Sequence, residues 1–222
     1  MINRLRTSEA DFAESLNNLL RVSSEDAEDI AEIVREIVNA VKANGDAAVL
    51  ELTNRLDDRQ VASIAELEIS AERQQQALDN LDPIVKQALE SSINRIRIYH
   101  ERQLQALGNG ADWEFVDDDG NRLGQKVRSM QRVGIYAPGG KAAYPSTVCM
   151  TAVPAKVAGV EEIILVVPTP RGEVNQTLLA AAKLCGVDRV FTIGGAQAIA
   201  ALAYGTQAIP RVDKIVGPGN VY

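Results

Sequence analysis

The chain has 222 residues, with 23 Lys and Arg against 30 Asp and Glu, a formal charge of −7 and a pI near 4.9. At about 150 residues per domain, that length suggests one domain or one and a half, enough to bury a core without staples. The acidic balance excludes a general binder of nucleic acid or anionic membrane, since both need basic patches, and two cysteines make no disulfide framework.

The N-terminal stretch MINRLRTSEADF has no apolar signal core, so no export is expected and the reading is cytoplasmic. The longest charge-free stretch, 190–210, is broken by Gly194, Gly195 and Pro210 and carries Gln197 and Gln207. It is too polar for a membrane span. Charge and composition change near Met130. Residues 1–130 hold 15 basic and 25 acidic side chains, and 131–222 hold 8 and 5. Gly plus Pro rises from 6 to 18 across the same point. That shift marks a boundary. The expected division is a helical arm over 1–22, a helical part over 23–130, and a Rossmann-like unit over 131–222.

Phe12, Leu16, Leu19 and Leu20 share a face of a first short helix. Ile30, Ile33, Val34, Ile37 and Val41 form an apolar stripe on a second. The second has an acidic first turn and ends near Gly45. Asp46 is expected to cap a third helix running to about Leu56. Asp82 followed by Pro83 starts a long helix that stops at Gly108. The sole histidine, His100, lies on that helix in a stripe with Val85, Leu89, Ile93, Ile96 and Leu104. It reads as a packing residue. Residues 113–129 read as a hairpin with a polar Asp-rich turn.

From 133 the pattern becomes strand and helix in alternation. Apolar runs at 133–136, 163–167, 189–193 and 214–216 are separated by helical stretches near 146–158, 176–185 and 196–204. Asn175 caps the second of these, and Gly186 ends it. Such alternation predicts parallel strands joined by right-handed crossovers, here a doubly wound α/β sheet covered on both faces. The segment after the first strand reads Ala137-Pro138-Gly139-Gly140-Lys141. Gly194-Gly195-Ala196-Gln197 follows the third, and Gly217-Pro218-Gly219-Asn220 the fourth. Ligands of open α/β sheets bind at the carboxyl ends of strands, where glycines let backbone approach phosphate. A dinucleotide fits that pattern, but no G-x-G-x-x-G is present. The second strand ends in Val167-Pro168-Thr169, without an acid for a ribose. A glycine-rich core that binds nothing is the other reading. Lys141 reads as a solvated side chain, and Cys149 and Cys185 as small core residues.

Three stretches carry a resemblance. VGIYAPGGKAAYPSTVCMTAVPAKVAG (133–159), VDRVFTIGGAQAIAALAYGT (187–206) and VDKIVGPGNVY (212–222) closely resemble histidinol dehydrogenase, in order and spacing. RIRIYHERQ (95–103), in the helical part, resembles the same family. The resemblance implies a cytoplasmic, zinc-containing homodimer acting in histidine biosynthesis. It implies an NAD-dependent oxidation of L-histidinol through histidinaldehyde to L-histidine, and a core of two related, incomplete nucleotide-binding domains. The family's NAD-contacting Tyr, Gln and Asn match Tyr136, Gln197 and Asn220. Its zinc ligands, Glu-His catalytic pair and substrate residues lie beyond the segment matching 217–222. No catalytic residue and no metal ligand is therefore assigned in this chain. The expectation is an N-terminal part of the enzyme, inactive alone. Two alternatives stay open: a related dehydrogenase of another amino or sulfonated alcohol, and a non-catalytic nucleotide-binding module.

Overall fold

The computed structural model describes residues 4–20, 24–139 and 144–219, with side chains described except at 20 and 24–29. In chain order the first helices are α1 (Phe12–Leu20), α2 (Ser24–Asn44) and α3 (Asp46–Leu56). A short strand β1 (Glu68–Ile69) and a polar helix α4 (Ala71–Asp79) follow. Helix α5 (Pro83–Ala106) begins as its sequence demands. The Asp82 carboxylate accepts from the Ile84 and Val85 N–H groups, and Pro83 occupies the first turn. The α2 stripe is only partly used: Val41 is buried, while Ile33 and Val34 are exposed.

Asp46 does not cap α3. Gly45 holds that position, and Asp46 instead ties the helix to a distant loop. Its N–H donates to Gln207 Oε1 at 2.9 Å, and its carboxylate accepts from the Ala208 N–H at 3.2 Å. A sequence pattern alone cannot distinguish a cap from a tertiary tether that uses the same oxygen.

Strands β2 (Trp113–Val116) and β3 (Arg122–Gln125) form an antiparallel hairpin apart from the main sheet. Asp117 closes its turn by accepting from the N–H groups of Asp119 and Asn121. The remaining elements are β4 (Arg132–Tyr136), α6 (Pro145–Val157), β5 (Glu162–Val166), α7 (Gln176–Leu184), β6 (Arg189–Phe191), α8 (Gly195–Tyr204) and β7 (Lys214–Val216). Asn175 caps α7, accepting from the Leu178 N–H at 3.0 Å.

The main sheet runs β1-β6-β5-β4-β7. β4, β5, β6 and β7 are parallel, in the order of the first half of a doubly wound fold, and β1 joins antiparallel to β6. One face is covered by α4–α7, with Ile135, Ile163, Leu165, Cys149 and Cys185 in its core. The other is covered by α2, α3 and α8, with Leu52, Leu67, Ile164, Phe191 and Leu202 inside. Chain reversal from one face to the other occurs between β6 and β7. That reversal puts β7 beside β4, and in open α/β sheets ligands bind at the carboxyl ends of strands at such a point.

Candidate functional site: the carboxyl edge of the parallel sheet

Because the four strands are parallel, Tyr136, Val166, Phe191 and Val216 end at one edge. Tyr136 closes β4, and its ring packs partly buried against the face covered by α8. The phenol oxygen accepts from the Gly195 N–H at 3.3 Å. This bond joins the end of β4 to the start of α8. Burial pushes the Tyr136 phenol up, the Gly195 bond opposes that, and the Asp57 carboxylate adds to the rise.

Helix α8 begins at the edge without a side-chain cap. An uncapped N-terminus offers free N–H groups and the positive end of the helix dipole, which suits an anion. Its first residue, Gly195, has φ of 61°, a left-handed backbone that glycine alone adopts at little cost. The third residue, Gln197, is 1% exposed, and its Oε1 has no hydrogen-bond partner. A buried amide oxygen without a donor is costly and points to a ligand or an ordered water. Gly217, after β7, lies flush against the end of β4. A Cβ there would collide with the Tyr136 carbonyl.

The edge also receives a segment that the sequence pattern does not place there. Arg59, three residues past α3, donates from Nη1 to the Thr169 hydroxyl at 2.6 Å. The Arg171 N–H donates to the Asp57 carbonyl at 2.8 Å. Asp57 and Arg59 thus sit by the loop after β5. No sequence motif marks Asp57 or Arg59 for this edge, and only the tertiary fold brings them to it.

Of the residues singled out from sequence, Tyr136 and Gln197 stand on the same face of this edge, linked through Gly195. Asn220 and Lys141 lie outside the described residues. His100 is on α5, remote in sequence from the edge, where its Nδ1 pairs with Gln103 Oε1 at 2.9 Å. Cys149 and Cys185 are both free and buried, as core residues are.

Comparison with known proteins gives this geometry a family. Residues 20–222 match the family model described as histidinol dehydrogenase. Histidinol dehydrogenase of Pseudomonas syringae pv. tomato is 53% identical over 221 residues, covering 100% of this chain and 48% of that protein. The protein of that name from Dechloromonas aromatica is 54% identical, covering 100% of this chain and 50% of its own length. The crystal structure of histidinol dehydrogenase from Elizabethkingia anophelis superposes with a TM-score of 0.78 at 30% identity. That match covers 93% of this chain and 46% of the other. The chain spans about half the length of the curated relatives it matches. It belongs to the histidinol dehydrogenase family.

Proposed function

We propose that residues 131–222 form the NAD-binding unit of an NAD-dependent histidinol dehydrogenase. That enzyme oxidises L-histidinol through histidinaldehyde to L-histidine. The observation that carries this reading is Gln197. Its amide is almost wholly buried at the uncapped start of α8, with Oε1 unpartnered. The point where the strand order reverses between β4 and β7 and the helix N-terminus suit a pyrophosphate-bearing ligand.

In this reading NAD, when bound, supplies the acceptor for hydride. The chain's own part is to hold it. Tyr136 and Gln197 flank the start of α8, and Asn220, outside the described residues, is the third position that the resemblance assigns to the cofactor. The free N–H groups in the first turn of α8 would hold the phosphates. Among the described residues no three His, Cys, Asp or Glu side chains come together as metal ligands. Zinc, its ligands and the Glu-His pair belong, in this reading, to the part of the relatives that the chain does not span. So do the residues that touch L-histidinol. The homodimer and the cytoplasmic location are parts of the same reading. Among the described residues no helix is long and apolar enough to cross a membrane.

Calorimetry with NAD+ on the wild type and on Gln197→Ala tests the cofactor role. The wild type is expected to bind, and the variant to bind about tenfold more weakly, the effect of losing one buried hydrogen bond. A folded wild type with no detectable binding would favour a scaffold role. The 222-residue chain alone is expected not to oxidise histidinol. Zinc-dependent NADH formation at enzyme-like rates would contradict that expectation.

A further inference from the structure

In the common dinucleotide fold, an acid at the end of the second parallel strand holds the ribose diol. The second parallel strand here is β5, and Val167, Pro168 and Thr169 follow it with no acid among them. The structure brings a carboxylate to that edge from another part of the chain. After α3 the backbone turns sharply through Asp58, at φ 51°. Two bonds fasten this turn to the loop beyond β5. One is Arg171 N–H to the Asp57 carbonyl at 2.8 Å, and the other is Arg59 Nη1 to the Thr169 hydroxyl at 2.6 Å. Thr169 is 2% exposed, so the junction is anchored in the fold.

Asp57 therefore stands by the carboxyl end of β5. Burial is the main cause that raises the Tyr136 phenol's pKa, at the end of β4, and the Asp57 charge adds to that rise. The Asp57 Oδ2 is sealed from solvent and has no hydrogen-bond partner. Burial raises its pKa, with the Arg59 charge opposing. Arg59 is the nearby cation, but its Nη1 is engaged by the hydroxyl and carbonyl of Thr169. An ionised carboxylate only accepts hydrogen bonds, so what this group lacks is a donor. A ribose diol presents two hydroxyl donors side by side.

We propose that Asp57 is the ribose-binding acid of this chain, carried to the end of β5 by the turn after α3 instead of by β5 itself. The inference rests on the dinucleotide reading above and adds a residue to it. It also gives the site a preference. A carboxylate that accepts from a free 2′-hydroxyl repels a 2′-phosphate, so NAD+ is bound in preference to NADP+.

The test is calorimetry of the wild-type chain and of Asp57→Asn with NAD+ and with NADP+, beside a thermal melt of each. The wild type is expected to favour NAD+. The variant is expected to bind NAD+ about tenfold more weakly and to lose most of the preference. Its melting temperature does not fall, because the Asp57 Oδ2 has no hydrogen-bond partner to lose. A wild type that binds NAD+, with a variant of equal affinity and equal preference, overturns this inference and leaves the dinucleotide reading intact. Equal weakening toward both coenzymes with a lowered melting temperature also overturns it, since Asp57 is then structural. A folded wild type that binds neither coenzyme overturns both readings.

Discussion

Phe191→Ala is expected to lower the free energy of unfolding by about 3–5 kcal/mol, the range for deleting a buried aromatic ring. Phe191 ends β6 and is fully buried, with 0% exposure. Its strand is the seam between the two parts of the chain. Backbone pairing runs from Phe191 to Glu68 of β1 on one side and to Val166 of β5 on the other. The next residue reinforces the seam, since the Thr192 hydroxyl donates to the Leu67 carbonyl at 2.9 Å. The Phe191 ring packs in the core shared by α3, α8 and the sheet, with the Arg189 guanidinium 4.8 Å from its centroid. Arg189 is itself held by Glu68, with bonds of 2.7 and 2.9 Å. A ring fixed on so many sides leaves a cavity that its surroundings cannot fill. Urea unfolding measures the loss, and a change below about 1 kcal/mol, the ordinary size for a point substitution, would contradict this packing.

Gly195→Val is expected to abolish measurable NAD+ binding and to cost about 1–3 kcal/mol of stability, the size of a strained backbone position. Two causes act together. The left-handed backbone at φ 61° disfavours any β-branched residue. A Cβ at Gly195 would also sit 2.5 Å from Gln197 Oε1. The added side chain therefore pushes on the amide proposed to face the cofactor. The same shift moves the N–H group that bonds Tyr136. Calorimetry and a denaturation curve on the one variant separate the effects. Wild-type affinity in the variant would show that the start of α8 is not part of the site.

Much of this fold is legible in the sequence where one physical signal dominates. The runs at 133–136, 163–167, 189–193 and 214–216 are Ile- and Val-rich, and each lies within a residue or two of a strand. Asp82 and Asn175 were read as caps and bond as caps, because their role needs only neighbours in the chain. The mixed α/β class with parallel strands follows from their alternation with helices. Strand β1 carries no such signal. It is two residues long, and it exists because β6 offers it an edge. Helix α4 is mostly polar and buries only Gln74 and Ala77, so no apolar stripe announces it. Asp46 and Asp57 show the other limit. Each sits at an end of α3, where an acid reads as local helix chemistry. Each is bonded over long sequence distances, Asp46 to the 207–208 loop and the Asp57 carbonyl to the Arg171 N–H in the loop after β5.

For the candidate site, Tyr136 and Gln197 are legible as matches, at the carboxyl edges of strands, to the NAD-contacting residues of a resembling family. Their physical relation is not. The Gly195 bridge between Tyr136 and α8, and the unpartnered Gln197 oxygen, depend on the packing of α8 against the sheet.

Binding of NAD at the carboxyl edge of the parallel sheet is the proposal on which the other readings depend. Titrating NAD+ into the isotope-labelled chain and following backbone amide resonances tests it most directly. Saturable shifts are expected at Tyr136, Gly194, Gly195 and Gln197, with the β2–β3 hairpin unmoved. A folded chain whose edge amides stay still at saturating NAD+, or whose shifts gather on the hairpin, would contradict it.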